Sequence, residues 1–164
     1  MITAKHILLF SLGSVPLLGT HPALAQFGGP QVATVTAAAR PAKVTRGGNG
    51  VLFVTLHVGP QFHINAHQPN DKAYFATSFS GQLTPGITYG PAHYPASRTV
   101  KVSYSSKPLL VYTGQVVISV PYRVSQSMKP GAKRLIGTVM YQGCSDKSCY
   151  PPASAPIRSV VIVR

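Results

Sequence analysis

From Gly50 onward the chain runs in short apolar or alternating stretches that Gly and Pro interrupt at close intervals. The stretches are Val51–Val58, Ala73–Phe79, Val100–Tyr104, Leu109–Val124 with a break at Gly114 or Pro121, Lys133–Gln142 and Ile157–Val163. They are rich in Val, Ile, Tyr, Phe and Thr, whose branched or aromatic side chains fit a pleated, half-buried surface. No window of helix length keeps a 3.6-residue apolar period without Gly or Pro inside it. Six to eight short strands and no helix predict an all-β fold, an antiparallel β-sandwich. Neither a repeat nor a low-complexity linker divides the chain, so residues 47–164 are expected to form one domain. Residues 26–46, rich in Ala, Gly, Pro and Thr, are expected to be a flexible lead-in ending in an edge strand.

The first residues change the picture, because they bear on the compartment. Lys5 precedes an apolar run from Ile7 to about Gly19, and Ala23-Leu24-Ala25 follows as a small-residue cleavage site. This is the pattern of a secretory signal over residues 1–25, cleaved after Ala25. The run contains Gly13 and Pro16 and falls short of the ~20 residues that cross a bilayer. The mature protein is therefore expected to be soluble and periplasmic or secreted, where a disulfide can persist.

Charge is lopsided: fifteen Lys and Arg stand against Asp71 and Asp146 alone. Such a surface attracts acidic partners without specificity. The basic residues are scattered with no run longer than Lys133-Arg134, and no nucleic-acid motif accompanies them, so a solvated basic face is expected and no nucleic-acid partner.

Candidate chemistry lies in two segments. In Gly59–Asn70, "GPQFHINAHQPN", an extended backbone would put Phe62, Ile64 and Ala66 on one face and His63, Asn65 and His67 on the other. That polar face either meets water or lines a site. His63 and His67 would stand roughly 13 Å apart along such a strand, too far to share a metal ion through it alone. The second segment, Tyr141–Pro152, "YQGCSDKSCYPP", holds the only two cysteines, Cys144 and Cys149. A zinc site needs four ligands at recognisable spacings, which two Cys, Asp146 and distant histidines do not supply. A structural disulfide would close a loop of only six residues, for which chain entropy gives on the order of 2 kcal/mol. A redox couple uses the same placement differently, since a loop neck keeps a sulfur within reach of a partner's thiolate. The spacing of four and the Pro151-Pro152 pair argue against a thioredoxin-type helix N-terminus at Cys149.

The string "VMYQGCSDKSCYPP" resembles the active-site hairpin of the N-terminal periplasmic domain of DsbD, the transmembrane thiol:disulfide interchange protein, and "FHINAHQP" resembles a segment common in that family. The resemblance covers roughly Gly50–Arg164. It implies an immunoglobulin-like sandwich and a relay of reducing equivalents to exported thioredoxin-like proteins, of the disulfide isomerase or cytochrome c maturation type. It implies Cys149 as the nucleophile forming a mixed disulfide and Cys144 as the resolving thiol. His63, Asn65, Tyr141, Gln142, Asp146 and Tyr150 are then the residues lining the pair, and Tyr94 or Tyr104 the candidate aromatic cap. An imidazole there could hydrogen-bond a thiol or, protonated, stabilise a thiolate. Full transporters of this kind continue into a membrane domain, so a separate membrane electron donor is expected for this chain. No cofactor, metal or small-molecule substrate is expected, because the cysteine couple is itself the carrier. The competing reading is an immunoglobulin-like binding module with a permanent loop disulfide.

Overall fold

The computed structural model describes residues 30–164, and the export signal expected over residues 1–25 lies outside them. Twelve strands are present among the described residues: β1 (Ala33–Arg40), β2 (Lys43–Val44), β3 (Asn49–Val58), β4 (His63–Asn65), β5 (Ser78–Gly81), β6 (Ile87–Tyr89), β7 (Arg98–Val100), β8 (Leu109–Tyr112), β9 (Gln115–Val124), β10 (Gly131–Tyr141), β11 (Gly143–Cys144) and β12 (Ala153–Val163). They form three four-stranded sheets, ordered β1-β3-β9-β6, β2-β12-β10-β5 and β11-β4-β8-β7.

The first two sheets are the sandwich. Alternation along β3 turns Leu52, Val54 and Leu56 inward, and β9 does the same with Val116, Ile118, Val120, Tyr122 and Val124. Leu135, Val139 and Tyr141 of β10 and Ile157, Val161 and Val163 of β12 meet them from the facing sheet in one core. Period-two burial on both layers is what two amphipathic sheets require to close a core between them. Pairing is antiparallel except where β12 meets β2, Ile162 opposite Lys43, in parallel.

Several expected boundaries move. Ala33–Arg40, inside the stretch expected as lead-in, pairs residue for residue with Val58 down to Val51 of β3 and forms an edge of its sheet. It is the edge strand expected at the end of that stretch, but it is longer and begins earlier, because small Ala side chains carry a weak strand signal. The break in Leu109–Val124 falls at Gly114, whose φ of 64° only glycine adopts without strain. Pro121 stays inside β9: its carbonyl faces away from β3 and accepts from Gly90 N at 2.8 Å, so the missing N–H costs no bond to β3. Only Ser78–Gly81 of the expected Ala73–Phe79 strand, extended by two residues, is paired, and Val100 ends β7 instead of opening a strand to Tyr104. Lys101–Pro108 is a loop that instead crosses to the cysteine hairpin.

Candidate functional site

The third, smaller sheet carries the candidate site at one end of the sandwich. The long β10–β12 pairing runs from Gly131 opposite Val163 to Tyr141 opposite Ala153, and the intervening residues 142–152 bulge out as the cysteine hairpin. Within it Gly143 and Cys144 form β11 and pair with Ile64 and His63 of β4. Gly143 is required by packing: a methyl group there would stand 2.5 Å from a Val32 methyl carbon.

Cys144 and Cys149 are joined by a disulfide, their Cα atoms 3.9 Å apart across an isolated antiparallel bridge. Tyr150 N donates to Gly143 O at 2.9 Å, and Ser145 N to Ser148 O at 2.9 Å, so the tip is a tight turn. The two sulfurs differ in access. Cys144 is fully buried and Cys149 is half-buried.

β4 settles where the imidazole and amide face points. Ile64 and Ala66 enter the core, while His63 and Asn65 turn to the hairpin and are themselves buried, at 4% and 1% exposure. The polar face therefore does not meet water, because the hairpin and the 101–108 loop cover it. Asn65 Nδ2 donates to Gln142 Oε1 at 2.9 Å and to Phe75 O at 3.2 Å. Gln142 Oε1 also accepts from Phe75 N at 3.0 Å, and its Nε2 donates to Tyr150 O at 3.1 Å. The amides of buried Asn65 and half-buried Gln142 thus tie β4, the 71–77 turn and both sides of the hairpin neck together.

His63 Nε2 lies 3.0 Å from the Tyr104 hydroxyl oxygen, and Cys149 Sγ lies 3.5 Å from the same oxygen. The loop bearing Tyr104 is pinned to the hairpin by Ser103, whose N and Oγ donate to Asp146 O at 3.3 and 2.7 Å. Burial lowers the His63 pKa below 6.5, opposed by the Asp146 carboxylate. Burial pushes the Tyr104 hydroxyl up to about 12, with Tyr74 and Asp146 adding to the rise. Tyr104 hence keeps its O–H proton across the physiological range, and the His63 ring is uncharged near neutrality.

The other expected residues divide. Tyr150 packs its ring edge-on against Phe62, centroids 6.1 Å apart. Tyr141 is buried and donates to Ala33 O at 3.4 Å, bracing β1 against β10 on the far side of the hairpin. Asp146 is exposed at the tip. Tyr94 is engaged elsewhere: it stacks on His67 at 3.7 Å and accepts from Phe79 N at 2.9 Å. His67 accordingly leaves the face it shares with His63, its Nδ1 held 2.9 Å from Thr77 O. Ser103, Phe75 and Val32 were not singled out from the sequence. Only Gly143 inside "YQGC" carried a signal for one of them, as a close approach of backbone to some neighbour.

The fold is an all-β immunoglobulin-like sandwich with a disulfide at the neck of an end loop, one cysteine buried and the other half-buried. The sequence profile of the family described as "Thiol:disulfide interchange protein DsbD, N-terminal" matches residues 31–159, and the chain belongs to that family. No curated protein matches the chain. Among solved structures, the N-terminal periplasmic domain of ScsB from Proteus mirabilis is similar, with a TM-score of 0.51 at 15% identity over 76% of this chain and 43% of that one. The chain thus spans under half of that structure. The Neisseria meningitidis DsbD N-terminal domain in the reduced form gives a TM-score of 0.49 at 16% identity, over 80% of this chain and 88% of that one.

Proposed function

We propose that the protein is an exported thiol:disulfide exchange protein that passes reducing equivalents through Cys144 and Cys149 to thioredoxin-like proteins of the same compartment. The observation that carries this reading is the asymmetry of the pair: Cys149 is half-buried at the hairpin while Cys144 is fully buried behind it. A partner thiolate can approach only the sulfur it can touch, so the mixed disulfide forms at Cys149 and Cys144 resolves it. Tyr104 is the aromatic residue that covers the reachable sulfur. His63, Asn65, Gln142 and Tyr150 hold the hairpin, and Asp146 sets the local charge. Exported proteins of the disulfide isomerase or cytochrome c maturation type receive the electrons.

Two measurements test it. The equilibrium reduction potential of the pair, titrated against glutathione or dithiothreitol, is expected between about −120 and −270 mV, the span of exchange proteins. A value well below about −300 mV marks a permanent clip and overturns the reading. Cys144→Ser is expected to trap a mixed disulfide with a thioredoxin-like partner, and Cys149→Ser to form none.

A further inference from the structure

We propose that His63 and Tyr104 form a proton relay that deprotonates Cys149 when the pair is reduced. The inference rests on the exchange reading above and adds residues that act on the reacting sulfur. Its basis is a chain of three atoms: Cys149 Sγ, the Tyr104 hydroxyl oxygen at 3.5 Å, and His63 Nε2 a further 3.0 Å on.

Each member suits its place. A tyrosine that only shielded the disulfide would need its ring and not its hydroxyl, whereas here the hydroxyl is the atom shared by sulfur and imidazole. Ser103, hydrogen-bonded to Asp146 O on the hairpin, fixes the loop so that this oxygen stays between them. His63 is buried and its backbone pairs with Cys144, so the ring cannot drift from the hairpin. Near neutrality the ring is uncharged and has a nitrogen free to take a proton; burial weakens it as a base, and the Asp146 carboxylate offsets part of that penalty. The other titratable and charged groups around the relay are the Asp146 carboxylate, the Tyr74 hydroxyl and the exposed Lys147 at the hairpin tip. Asp146 favours the imidazolium that forms.

The step balances as follows. The Cys149 S–H proton passes to the Tyr104 oxygen as the Tyr104 O–H proton passes to His63 Nε2, leaving a thiolate, a neutral tyrosine and an imidazolium. The thiolate electron pair forms a bond to one sulfur of the partner's disulfide, and the electron pair of that S–S bond leaves on the partner's other sulfur. Cys144 then attacks Cys149 Sγ, re-forming the intramolecular disulfide and releasing the partner's second sulfur. The protein is oxidised by two electrons and the partner reduced by two. The two protons, one held on His63 and one lost by Cys144, end on the partner's two thiols. In the reverse direction the same hydroxyl donates to the Cys149 sulfur as it departs.

The test uses no partner, so its outcome is independent of whether exchange partners are found. The reduced protein is alkylated with iodoacetamide, which reports thiolate, and modification of Cys149 is followed by peptide mass mapping from pH 5 to 9. Tyr104→Phe, which keeps the covering ring, is expected to slow Cys149 alkylation at pH 7 about ten-fold, the change in thiolate for a one-unit rise in thiol pKa. His63→Gln is expected to slow it equally, and the double variant no further, because a relay is broken once. Unchanged or faster alkylation in Tyr104→Phe, as expected if the ring alone matters, overturns the proposal, as do effects that multiply. Should His63→Gln fail to fold, Tyr104→Phe decides alone: the wild-type rate is expected to inflect below pH 6.5, and loss of that inflection in the variant supports the relay while its persistence refutes it.

Discussion

Gln142 spends both ends of its amide on the hairpin's surroundings, accepting from Asn65 and Phe75 N and donating to Tyr150 O. Replacing it with Ala removes its hydrogen bonds to buried Asn65 and to the more exposed Phe75 N and Tyr150 O, a net loss of about 1–3 kcal/mol. Gln142→Ala is therefore expected to lower the unfolding free energy by that order, seen in equilibrium unfolding as a lower urea midpoint with an unchanged denaturant slope. His63 makes a prediction in pH. Its folded pKa is held below 6.5 by burial, so beneath 6.5 the unfolded chain binds the proton more readily than the folded one. Stability from this group is present above 6.5 and is lost as pH falls from 6.5 through the folded pKa. His63→Gln is expected to remove that part of the acid slope in unfolding free energy measured from pH 7 to 4. The period of two in "FHINAHQP" correctly separates Ile64 from His63, but it cannot say what lies opposite the polar side. Only the hairpin packed upon β4 makes that side dry.

At the scale of elements, β11 is two residues long and exists because Gly143 lets the hairpin lie against Val32 ahead of β1. Gly143→Ala forces Val32 aside, an overpacking of about 1–3 kcal/mol. The thermal midpoint is expected to fall accordingly, and Val32→Ala in the same chain to restore most of the loss. That rescue separates a steric cause from a general weakening of the loop. The same contact explains why β1 belongs to the fold although its sequence, "ATVTAAAR", carries little apolar signal. It covers the edge of β3 along eight residue pairs and anchors Tyr141 through Ala33 O. Strands with branched residues on alternate positions, β3 and β9 above all, are legible in the sequence. The short strands β6, β7 and β11 are not, since two or three residues hold no period and are extended only because a neighbour pairs with them.

For the whole molecule, the disulfide is a small part of the stability. A six-residue loop contributes on the order of 2 kcal/mol, against a core that joins four long strands in two layers. Reduction with dithiothreitol is therefore expected to leave the far-ultraviolet circular dichroism unchanged and to lower the melting temperature by no more than about 10 °C. Global unfolding on reduction would instead mark the bond as a staple. Charge also acts at this scale. The two Asp side chains are Asp71 in the 71–77 turn and Asp146 at the hairpin tip, and fifteen basic residues are spread along the chain. An acidic partner is drawn to such a surface as a whole, with a dependence on ionic strength that any binding measurement will register.

The sequence by itself determined the class of the fold, because period-two alternation, frequent Gly and Pro and the lack of a helical period leave a sheet sandwich as the way to bury so much Val and Ile. It also determined the chemistry on offer, since a chain with one pair of cysteines in a tight loop can make one disulfide. Tertiary structure alone decided which sulfur is reachable, that Tyr104 and not Tyr94 stands over it, and that His63 is separated from Cys149 by a hydroxyl. The physical reason is range. Alternation and turn chemistry act over a few neighbouring residues, whereas His63, Tyr104 and Cys149 lie more than forty positions apart and meet only after three separate loops and strands are packed at one end of the sandwich.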